Sequence, residues 1–525
     1  MQENELKGPI AYAIAQSSQY NTTDQASKLE YLNGVGQEYI AKGNEPFYDI
    51  GFLETHIAQL RSEQRGMNFS FTWLPENPHG AFLDVNTQRE SVVMPKPITI
   101  EDIEELIRSE PDIRTIVIAV YSNGYSCFRD VANHLRTEHP NITLVAGAVG
   151  TEFEETKNLA KYQIRGNQLD DMRRLLGEPV RARWKIPVVP SHTSVTYDGI
   201  EKMKTIGLIT TSYGCPYDCD FCPSVAQYKG RYITPYTAEE IVASIHKAHE
   251  LVAPDSDVMS ISLADPQGLG DVRVWKEVFR ICRDMGFSVE LATTTSSKIL
   301  RQYTIDELVG GDLSVSCVNI GVESMLNPYS KNRGVDLKEE IKRYTQGGIK
   351  IAVTFIIGHD WHTADNVWED VQMVRGLDAS GFIVSNMMME PGTPLFQRMK
   401  SEGRLLDVPP EFYATYGFQA FTHPYFQSGF NDMTPVLSQI EEMLTQGTAV
   451  FSRDINIFLN RKNPGLNQSQ GRLIKELQAA EDEMRANRNS YTDIESAITK
   501  RRAKIFYDLV VRNIDFFHPY INWNV

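Results

Sequence analysis

Three cysteines lie close together in the segment TTSYGCPYDCDFCPS, where Cys215, Cys219 and Cys222 have the spacing C-x3-C-x2-C. Cysteine thiolates are the usual ligands of iron–sulfur clusters. Three thiolates on one short, turn-rich loop can converge on a single cluster. No fourth protein ligand stands nearby in the sequence, which leaves one iron open to an external ligand. The spacing therefore predicts a catalytic cluster rather than an electron carrier.

The competing interpretation is a zinc loop. Structural zinc takes four protein ligands, usually as two pairs, and the sequence offers neither a second C-x2-C nor a histidine pair to complete this one. Cys127, Cys282 and Cys317 stand singly in a predicted loop, helix and strand. A buried free thiol is the common role at such positions. The pattern thus favours iron–sulfur over zinc.

The segments that would position this loop alternate between predicted strands and predicted helices. Helical segments such as AEEIVASIHKAHELV separate the strands. This succession predicts a partial or full parallel (β/α)6 barrel, with chemistry at the carboxyl ends of the strands. The strands are predicted at 206–212, 258–263, 288–293, 314–322, 349–358 and 381–388.

A second α/β unit is predicted upstream. TIVIAVY and NITLVAGA are apolar enough to be buried strands, and FRDVANHLRTEHP between them has the pattern of a helix. This order predicts a right-handed parallel βαβ unit with a Rossmann-like topology. Ligands of such sheets bind beyond the carboxyl ends of the strands. Those ends are residues 121–124 and 147–151.

The 525 residues suffice for about three domains. We predict a leader, a Rossmann-like domain, an extended linker, the barrel and a helical C-terminal domain. The formal charge of −16 argues against nucleic acid as a partner. The first residues are acidic where a secretory signal is basic, and no apolar run approaches the length of a membrane span, so we expect a cytoplasmic protein. The predicted boundaries are 1–60, 61–185, 186–204, 205–400 and 401–525.

The cysteine motif and the segments after it resemble the radical S-adenosylmethionine (SAM) superfamily. GCPYDCDFC is similar to that family's RGCPFxCxFC block, and SLADPQG to its acidic segment after the second strand. IGVES, TFIIGHDWHT and MMMEPGTPLFQRMKSEGRL resemble later blocks, in the family's order over about 200 residues. The resemblance implies that Cys215, Cys219 and Cys222 hold a 4Fe–4S cluster whose open iron binds SAM. Cleavage of SAM would then give a 5′-deoxyadenosyl radical.

The same resemblance implies which residues contact SAM. Phe221 matches an aromatic residue that typically lies against the adenine. Glu323 is the first candidate for the polar groups of SAM and Asp265 the second, although a structural carboxylate is an alternative for each. His359 and His362 could reach the site or be ordinary loop histidines. The full set of expected SAM contacts is Phe221, Asp265, Gly321, Glu323 and Gly358.

The upstream unit resembles the cobalamin-binding subclass of this superfamily. Ala146–Gly147 to Thr151 stands where the subclass has GGxxAT, with Ala146 adding a methyl group where the nucleotide tail would pass. No D-x-H-x-x-G motif follows the first strand, so His79 is not predicted as a lower axial ligand of cobalt. A vestigial domain without cobalamin is the alternative. The expected cobalamin contacts are Tyr121, Ser122, Asn123, Gly147 and Thr151.

The resemblance implies a cobalamin-dependent radical SAM methyltransferase that methylates an unactivated carbon of a natural-product or peptide substrate. An electron donor such as flavodoxin or ferredoxin would reduce the cluster. The main alternative is a radical SAM enzyme that forms rings, rearranges or oxidises its substrate without methyl transfer. A non-catalytic iron–sulfur scaffold is a third hypothesis. Lipid substrates stay open, and the acidic charge disfavours transfer RNA.

Overall fold

The computed structural model describes part of the chain. Most of the predicted leader and most of the predicted C-terminal helical domain lie outside it. The described residues are 6, 8–15, 69–74, 77–164, 168–180, 182–197, 200–377, 379–408, 410–414, 417–429, 432–433, 436–437, 439–440 and 468–486.

Two sheets organise these residues. Their strands are β1 (Ile10–Ala15), β2 (Phe69–Leu74), β3 (Ser91–Pro97), β4 (Thr115–Val120), β5 (Thr143–Gly147), β6 (Tyr162–Gln163), β7 (Val188–Tyr197), β8 (Ile200–Ile209), β11 (Val258–Leu263), β12 (Ser288–Thr294), β13 (Leu313–Glu323), β14 (Lys350–Ile357) and β15 (Gly381–Asn386), and a separate two-stranded ribbon contains β9 (Tyr213–Gly214) and β10 (Tyr232–Ile233).

Helices cover the sheets. Within the described residues, no helix combines the length and the apolar character needed to cross a bilayer. The longer helices are Pro78–Asn86, Ile100–Ser109, Tyr125–Glu138, Gln168–Leu176, Ala238–Val252, Val272–Ile281, Leu337–Gln346, Asn366–Arg375, Pro394–Ser401 and Gln468–Ala486, and the short ones are Thr156–Leu159, Pro223–Tyr228, Ser297–Leu300 and Ile305–Val309.

The first sheet is parallel and has the order β3-β1-β4-β5-β6. Every residue of β1 and β4 is buried, as expected for strands of a parallel sheet that is covered on both faces. Ile103 and Phe128 pack against one face, and Leu83 and Leu169 against the other. The predicted upstream α/β unit is therefore present.

Strand β1 corrects the predicted leader. Residues 10–15 fall in the segment 1–60, yet they are hydrogen-bonded between β3 and β4. The sequence IAYAIA is apolar, but its partner strands come only after residue 90. Because no neighbouring strand follows β1 closely in the chain, the local pattern did not reveal its place in the sheet.

The second sheet has the order β15-β14-β13-β12-β11-β8-β7-β2. From β8 to β15 each strand lies parallel to the strand before it. These are the six strands predicted from the sequence, and β11 coincides with the predicted range 258–263. The parallel α/β character of this part is thus confirmed, while closure into a barrel stays a prediction.

The predicted linker over 186–204 is wrong. Of those residues, 188–197 form β7 and 200–204 form the first half of β8, and the two strands pair antiparallel from Val188–Ile209 to Tyr197–Ile200. Pro187 and Pro190 suggested an extended connection, and proline is also tolerated at strand starts and near sheet edges. Strand β2, whose residues fall in the range 61–185 predicted for the upstream domain, pairs with β7 at the edge of the second sheet.

Candidate active site

The cysteine loop begins immediately beyond the carboxyl end of β8. Gly214 has φ of +73°, and a Cβ there would lie 2.1 Å from the carbonyl oxygen of Arg231, so only glycine fits before Cys215. The Cys222 N–H donates to the carbonyl of Cys219 at 3.1 Å, and Cys222 caps the helix Pro223–Tyr228. The tight turn at Gly214 and the helix start fix both ends of the loop.

The three thiols differ in exposure and do not all lie within 4.8 Å of one another. Cys215 and Cys219 are buried, whereas Cys222 is half-buried. Among the described residues, only Glu104, His134 and His139 place three ligand atoms within 4.8 Å of one another. At least one pair of the three sulfurs is therefore more than 4.8 Å apart, which is farther than two ligands at about 2.3 Å from one zinc ion can lie. A polynuclear cluster suits this spacing better.

Burial controls the ionisation of these thiols. It raises the pKa of Cys219 to about 12, although the nearby Lys331 ammonium acts in the opposite direction. Burial also raises the pKa of Cys215. A thiol in such surroundings is protonated near neutral pH, and the metal-binding form is the thiolate. Bound iron would supply the positive charge that stabilises it.

Glu323 ends β13 in an unusual conformation. Its φ is +63°, in the left-handed region that non-glycine residues seldom adopt. One carboxylate oxygen, Oε1, accepts a hydrogen bond from the Lys331 ammonium at 2.5 Å, and both side chains are nearly buried. A Cβ at Gly321 would lie 2.3 Å from both groups, which explains the glycine.

The second oxygen of Glu323, Oε2, is buried and has no hydrogen-bond partner. Buried polar atoms are nearly always paired in folded proteins. Of the eight unpaired buried side-chain atoms found in the described residues, six lie near the ends of β13 and β14 and in the segment packed on them. They are Glu323 Oε2, His359 Nε2, Trp361 Nε1, His362 Nδ1, Gln419 Nε2 and Gln419 Oε1. This concentration marks a place suited to a polar ligand.

The loop after β14 is organised by its aromatic side chains. Gly358 has φ of +85°, and a Cβ there would approach Gln419 Oε1 to 3.1 Å. The His359 ring stacks on Trp361 with centroids 4.2 Å apart. Burial lowers the pKa of His359 well below its usual range, so this imidazole is neutral. The Nε2 atom of His362 lies 3.1 Å from Asp370 Oδ2, and this contact fixes the orientation of the imidazole.

Asp265 is engaged inside the protein. Its Oδ1 accepts from the Thr211 N–H at 2.6 Å, and its Oδ2 accepts from the hydroxyls of Thr211 and Ser212. Burial raises the pKa of Asp265 to about 6 against the lowering effect of these bonds. The Asp265 carboxylate therefore holds Thr211 and Ser212, which precede the cysteine loop, by hydrogen bonds. A direct contact with SAM stays a prediction.

Phe221 lies beside the loop on an apolar wall. Its ring meets Tyr329 edge-on with centroids 5.2 Å apart, and it packs against a cluster that includes Ile356 and Met387. The Tyr329 hydroxyl donates to Asp220 at 3.2 Å. Phe221 is thus placed between the cysteines and an apolar surface, where a flat aromatic ligand could stack.

The predicted cobalamin contacts lie at the carboxyl edge of the first sheet. Tyr121 follows β4 and its hydroxyl contacts His79 Nε2, at the start of the helix Pro78–Asn86. Gly147 ends β5 and lines a small cavity beneath that helix. Thr151 is buried, and its hydroxyl donates to the Ala148 carbonyl at 2.8 Å. These residues are brought together, but Tyr121 and Thr151 are engaged within the protein.

The remaining two predicted contacts sit on the turn Ser122–Gly124. Asn123 is half-buried there, and the Ser122 hydroxyl donates to Glu390 Oε2 at 2.8 Å. Glu390 follows β15 of the second sheet. Phe153 also stacks on Tyr413 across this boundary, with centroids 6.3 Å apart. The carboxyl edge of the first sheet therefore packs against the segment that leaves the carboxyl edge of the second.

The sequence did not single out several residues of the site. Lys331 and Gln419 have no local motif, and only the folded chain brings them to the strand ends. Trp361 lies within the TFIIGHDWHT block, which was a signal that could have identified it. Gln267 lies 3.7 Å from the Cys215 sulfur and donates to Thr295 at 2.7 Å. The SLADPQG block contains Gln267, so the motif was a signal that could have identified it.

Comparison with known proteins finds similarities in sequence and in structure, and no protein-family model matches the chain. The chain is similar to the hopanoid C-2 methylase of Rhodopseudomonas palustris (strain TIE-1), with 24% identity over 211 residues. That match spans 38% of this chain and only 39% of the methylase.

Among solved structures, the chain is similar to the radical S-adenosylmethionine methyltransferase TsrM from Kitasatospora setae, which was determined with cobalamin and a [4Fe–4S] cluster bound. The TM-score is 0.48 and the identity 13%, over 83% of this chain and 97% of that one.

Proposed function

We propose that this chain is a radical SAM enzyme that uses a 4Fe–4S cluster and cobalamin to methylate an unactivated carbon. The observation that carries the proposal is the position of Glu323 relative to the cysteine motif. Lys331 pairs with Glu323, and its charge acts on the Cys219 thiol. The unpaired Glu323 Oε2 therefore lies near the loop where an open iron would hold the amino and carboxylate groups of SAM.

The residues present fit the cluster and SAM. Cys215, Cys219 and Cys222 would hold the cluster, and Glu323 Oε2 would accept a hydrogen bond from a ligand ammonium. Lys331 holds the Glu323 carboxylate in place, because its ammonium lies only 2.5 Å from Oε1. When bound, the cluster and SAM supply a 5′-deoxyadenosyl radical, and cobalamin supplies the transferable methyl group. The buried surroundings would keep water from the radical.

The boundary between the two sheets supports a substrate site. Pockets for small molecules form preferentially where domains meet. Ser122 and Glu390 bring the two carboxyl edges together. We propose a natural-product or peptide substrate bound there, reduction of the cluster by flavodoxin or ferredoxin, and a cytoplasmic location. The similarity to a methylase supports the methyl-transfer step.

A second candidate function is radical chemistry without methyl transfer, by ring formation, rearrangement or oxidation. Tyr121 contacts His79, and Ser122 is bonded to Glu390, so two predicted cobalamin contacts are used within the protein. Ala148 also has φ of +63°, a strained conformation at the same edge. These features favour a cobalamin-type domain that has lost its cofactor.

The test is anaerobic reconstitution with iron, sulfide and cobalamin. We expect a Mössbauer spectrum of a 4Fe–4S cluster, about one bound corrinoid per chain, and a product heavier by one CH2 group. Cys219→Ala should lose the cluster and the formation of 5′-deoxyadenosine. Cys282→Ala, at a buried cysteine outside the loop, is the matched control and should retain both.

The outcomes separate the candidates. A cluster and SAM cleavage without bound corrinoid, and with an unchanged or hydrogen-poor product, would favour the second candidate. A wild-type protein that binds a cluster but produces no 5′-deoxyadenosine would contradict both. Retained SAM cleavage in Cys219→Ala would overturn the assignment of the cysteines.

A further inference from the structure

Glu104, His134 and His139 form a cluster away from the strand ends. The Nε2 atoms of His134 and His139 each lie 2.6 Å from the same oxygen, Oε1 of Glu104. Both imidazoles are 22% exposed and the carboxylate 38%. Hydrogen bonds from both imidazoles lower the pKa of Glu104. Two nitrogen donors and one carboxylate oxygen therefore converge at a solvent-accessible point.

The backbone holds these three side chains on fixed elements. Glu104 is on the helix Ile100–Ser109, whose Thr99 capping box fixes its start. His134 is on the helix Tyr125–Glu138, and His139 is the residue that ends it. The His139 N–H donates to Leu135 and its carbonyl accepts from Ile142, both at 2.9 Å. Ligands on packed helices are held more rigidly than ligands on loops.

The two helices also share a core. Ile103 and Leu106 of the first pack in the same buried cluster as Val131 and Leu135 of the second. The separation of Glu104 from the histidines is thus set by helix packing. In zinc sites the ligand atoms lie about 2.0–2.2 Å from the metal, so they stand somewhat farther apart than 2.6 Å. Small side-chain rotations can supply that difference.

We propose that Glu104, His134 and His139 bind a divalent transition metal ion, with zinc as the best match. Two imidazoles with one carboxylate are a frequent zinc ligand set, with water as the fourth ligand. Imidazole suits zinc, copper and nickel, whereas calcium and magnesium prefer oxygen ligands alone. The partial exposure of all three side chains leaves room for the water.

The position of the cluster favours a stabilising role. The helix Tyr125–Glu138 starts just after the carboxyl end of β4, and its 14 residues span about 21 Å. His139 therefore lies toward the opposite edge of the sheet from Tyr121 and Ser122. A metal there would join two helices of the first sheet and would take no part in the chemistry at the strand ends.

Zinc binding to the full-length, cluster-loaded protein tests this proposal, because iron occupies the cysteines. After incubation with zinc chloride and gel filtration, we expect about one zinc per wild-type chain by mass spectrometry of the metals. X-ray absorption at the zinc edge should show nitrogen and oxygen neighbours near 2.0 Å and no sulfur near 2.3 Å. The unfolding temperature should rise with zinc and fall again with EDTA.

The variants decide the assignment. His134→Ala with His139→Ala should lose the bound zinc and the rise in unfolding temperature while keeping the iron content. His246→Ala, at an exposed helical histidine outside the cluster, should behave as wild type. Equal zinc content in wild type and double variant, sulfur neighbours of the zinc, or no zinc retained by wild type would each overturn the proposal.

Discussion

The Ser122 hydroxyl donates a hydrogen bond to Glu390 Oε2 at 2.8 Å, between residues that are 268 positions apart in the chain. Ser122 follows β4 of the first sheet, and Glu390 follows β15 of the second. Burial raises the pKa of Glu390, and the bond to Ser122 acts in the opposite direction. The boundary between the sheets thus contains the Glu390 carboxylate, whose charged form is stabilised by the hydroxyl of Ser122 from the other sheet.

Ser122→Ala should weaken this boundary. The substitution leaves the half-buried Glu390 carboxylate without the hydroxyl, and such a loss costs about 1–3 kcal/mol. We expect a decrease of that size in the free energy of unfolding in urea. Ser401→Ala, where the hydroxyl donates to a carbonyl on an exposed helix end, is the control and should change little. Equal effects of the two substitutions would argue against a specific role for the Ser122–Glu390 bond.

Glu323→Gln should reduce the affinity for SAM. The substitution removes the negative charge that the ligand ammonium would meet, and a hydrogen bond to a charged group contributes about 1.5–3 kcal/mol. We expect binding to cluster-loaded protein, measured by equilibrium dialysis, to weaken by about tenfold or more. Glu277→Gln, at an exposed carboxylate paired with Arg280, is the matched control. Unchanged SAM affinity in Glu323→Gln would remove Glu323 from the proposed site.

Gln419→Met should stabilise the ligand-free protein. Both polar atoms of the Gln419 amide are buried and unpaired, which costs about 1–3 kcal/mol that a similar apolar side chain avoids. We expect a higher unfolding temperature without ligand and a smaller increase on addition of SAM. Gln397→Met, at an exposed helical position, should change neither value. A lower unfolding temperature in Gln419→Met would indicate that the amide serves the fold alone.

Asp265→Asn should reduce the pH dependence of stability. Burial raises the pKa of Asp265 from 3.8 to about 6, so the folded chain binds this proton more tightly than the unfolded chain does. The contribution of Asp265 therefore decreases as the pH rises through about 6, by about 1 kcal/mol between pH 5 and pH 7.5. Urea unfolding of both proteins at the two pH values measures this difference. Parallel curves for wild type and Asp265→Asn would contradict the raised pKa.

The sequence predicted the parallel strands of the second sheet well. Each of those strands is a buried apolar run followed by a helix, and Thr99 and Thr237 show the capping pattern that starts a helix. The antiparallel strands β7 and β2, at the edge of the second sheet, were not predicted for a physical reason. Pro187 and Pro190 suggested an extended connection, and the pairing of β2 with β7 joins residues far apart in the sequence.

The candidate site likewise contains residues that the sequence predicted and residues that it did not. The cysteines were predicted from their spacing, and Glu323 from the resemblance of its segment IGVES to a family block. Lys331 and Gln419 carry no motif, and their place beside Glu323 and Gly358 depends on how loops pack after the strands form. The sequence also did not reveal that Asp265 accepts hydrogen bonds from Thr211 and Ser212, because these two residues precede it by more than fifty positions.

The pairing of β2 with β7 has a consequence for the order of folding during synthesis. Leu74 pairs with His192, so β2 has no partner in its own sheet until the whole of the first sheet has left the ribosome. Strand β1 likewise waits for β3 and β4. Non-local contacts of this kind slow folding, because the chain between them loses entropy before they form. Because every strand of the first sheet has been synthesised by Gln163, we expect that sheet to become stable first, while β2 stays unpaired until β7 is made.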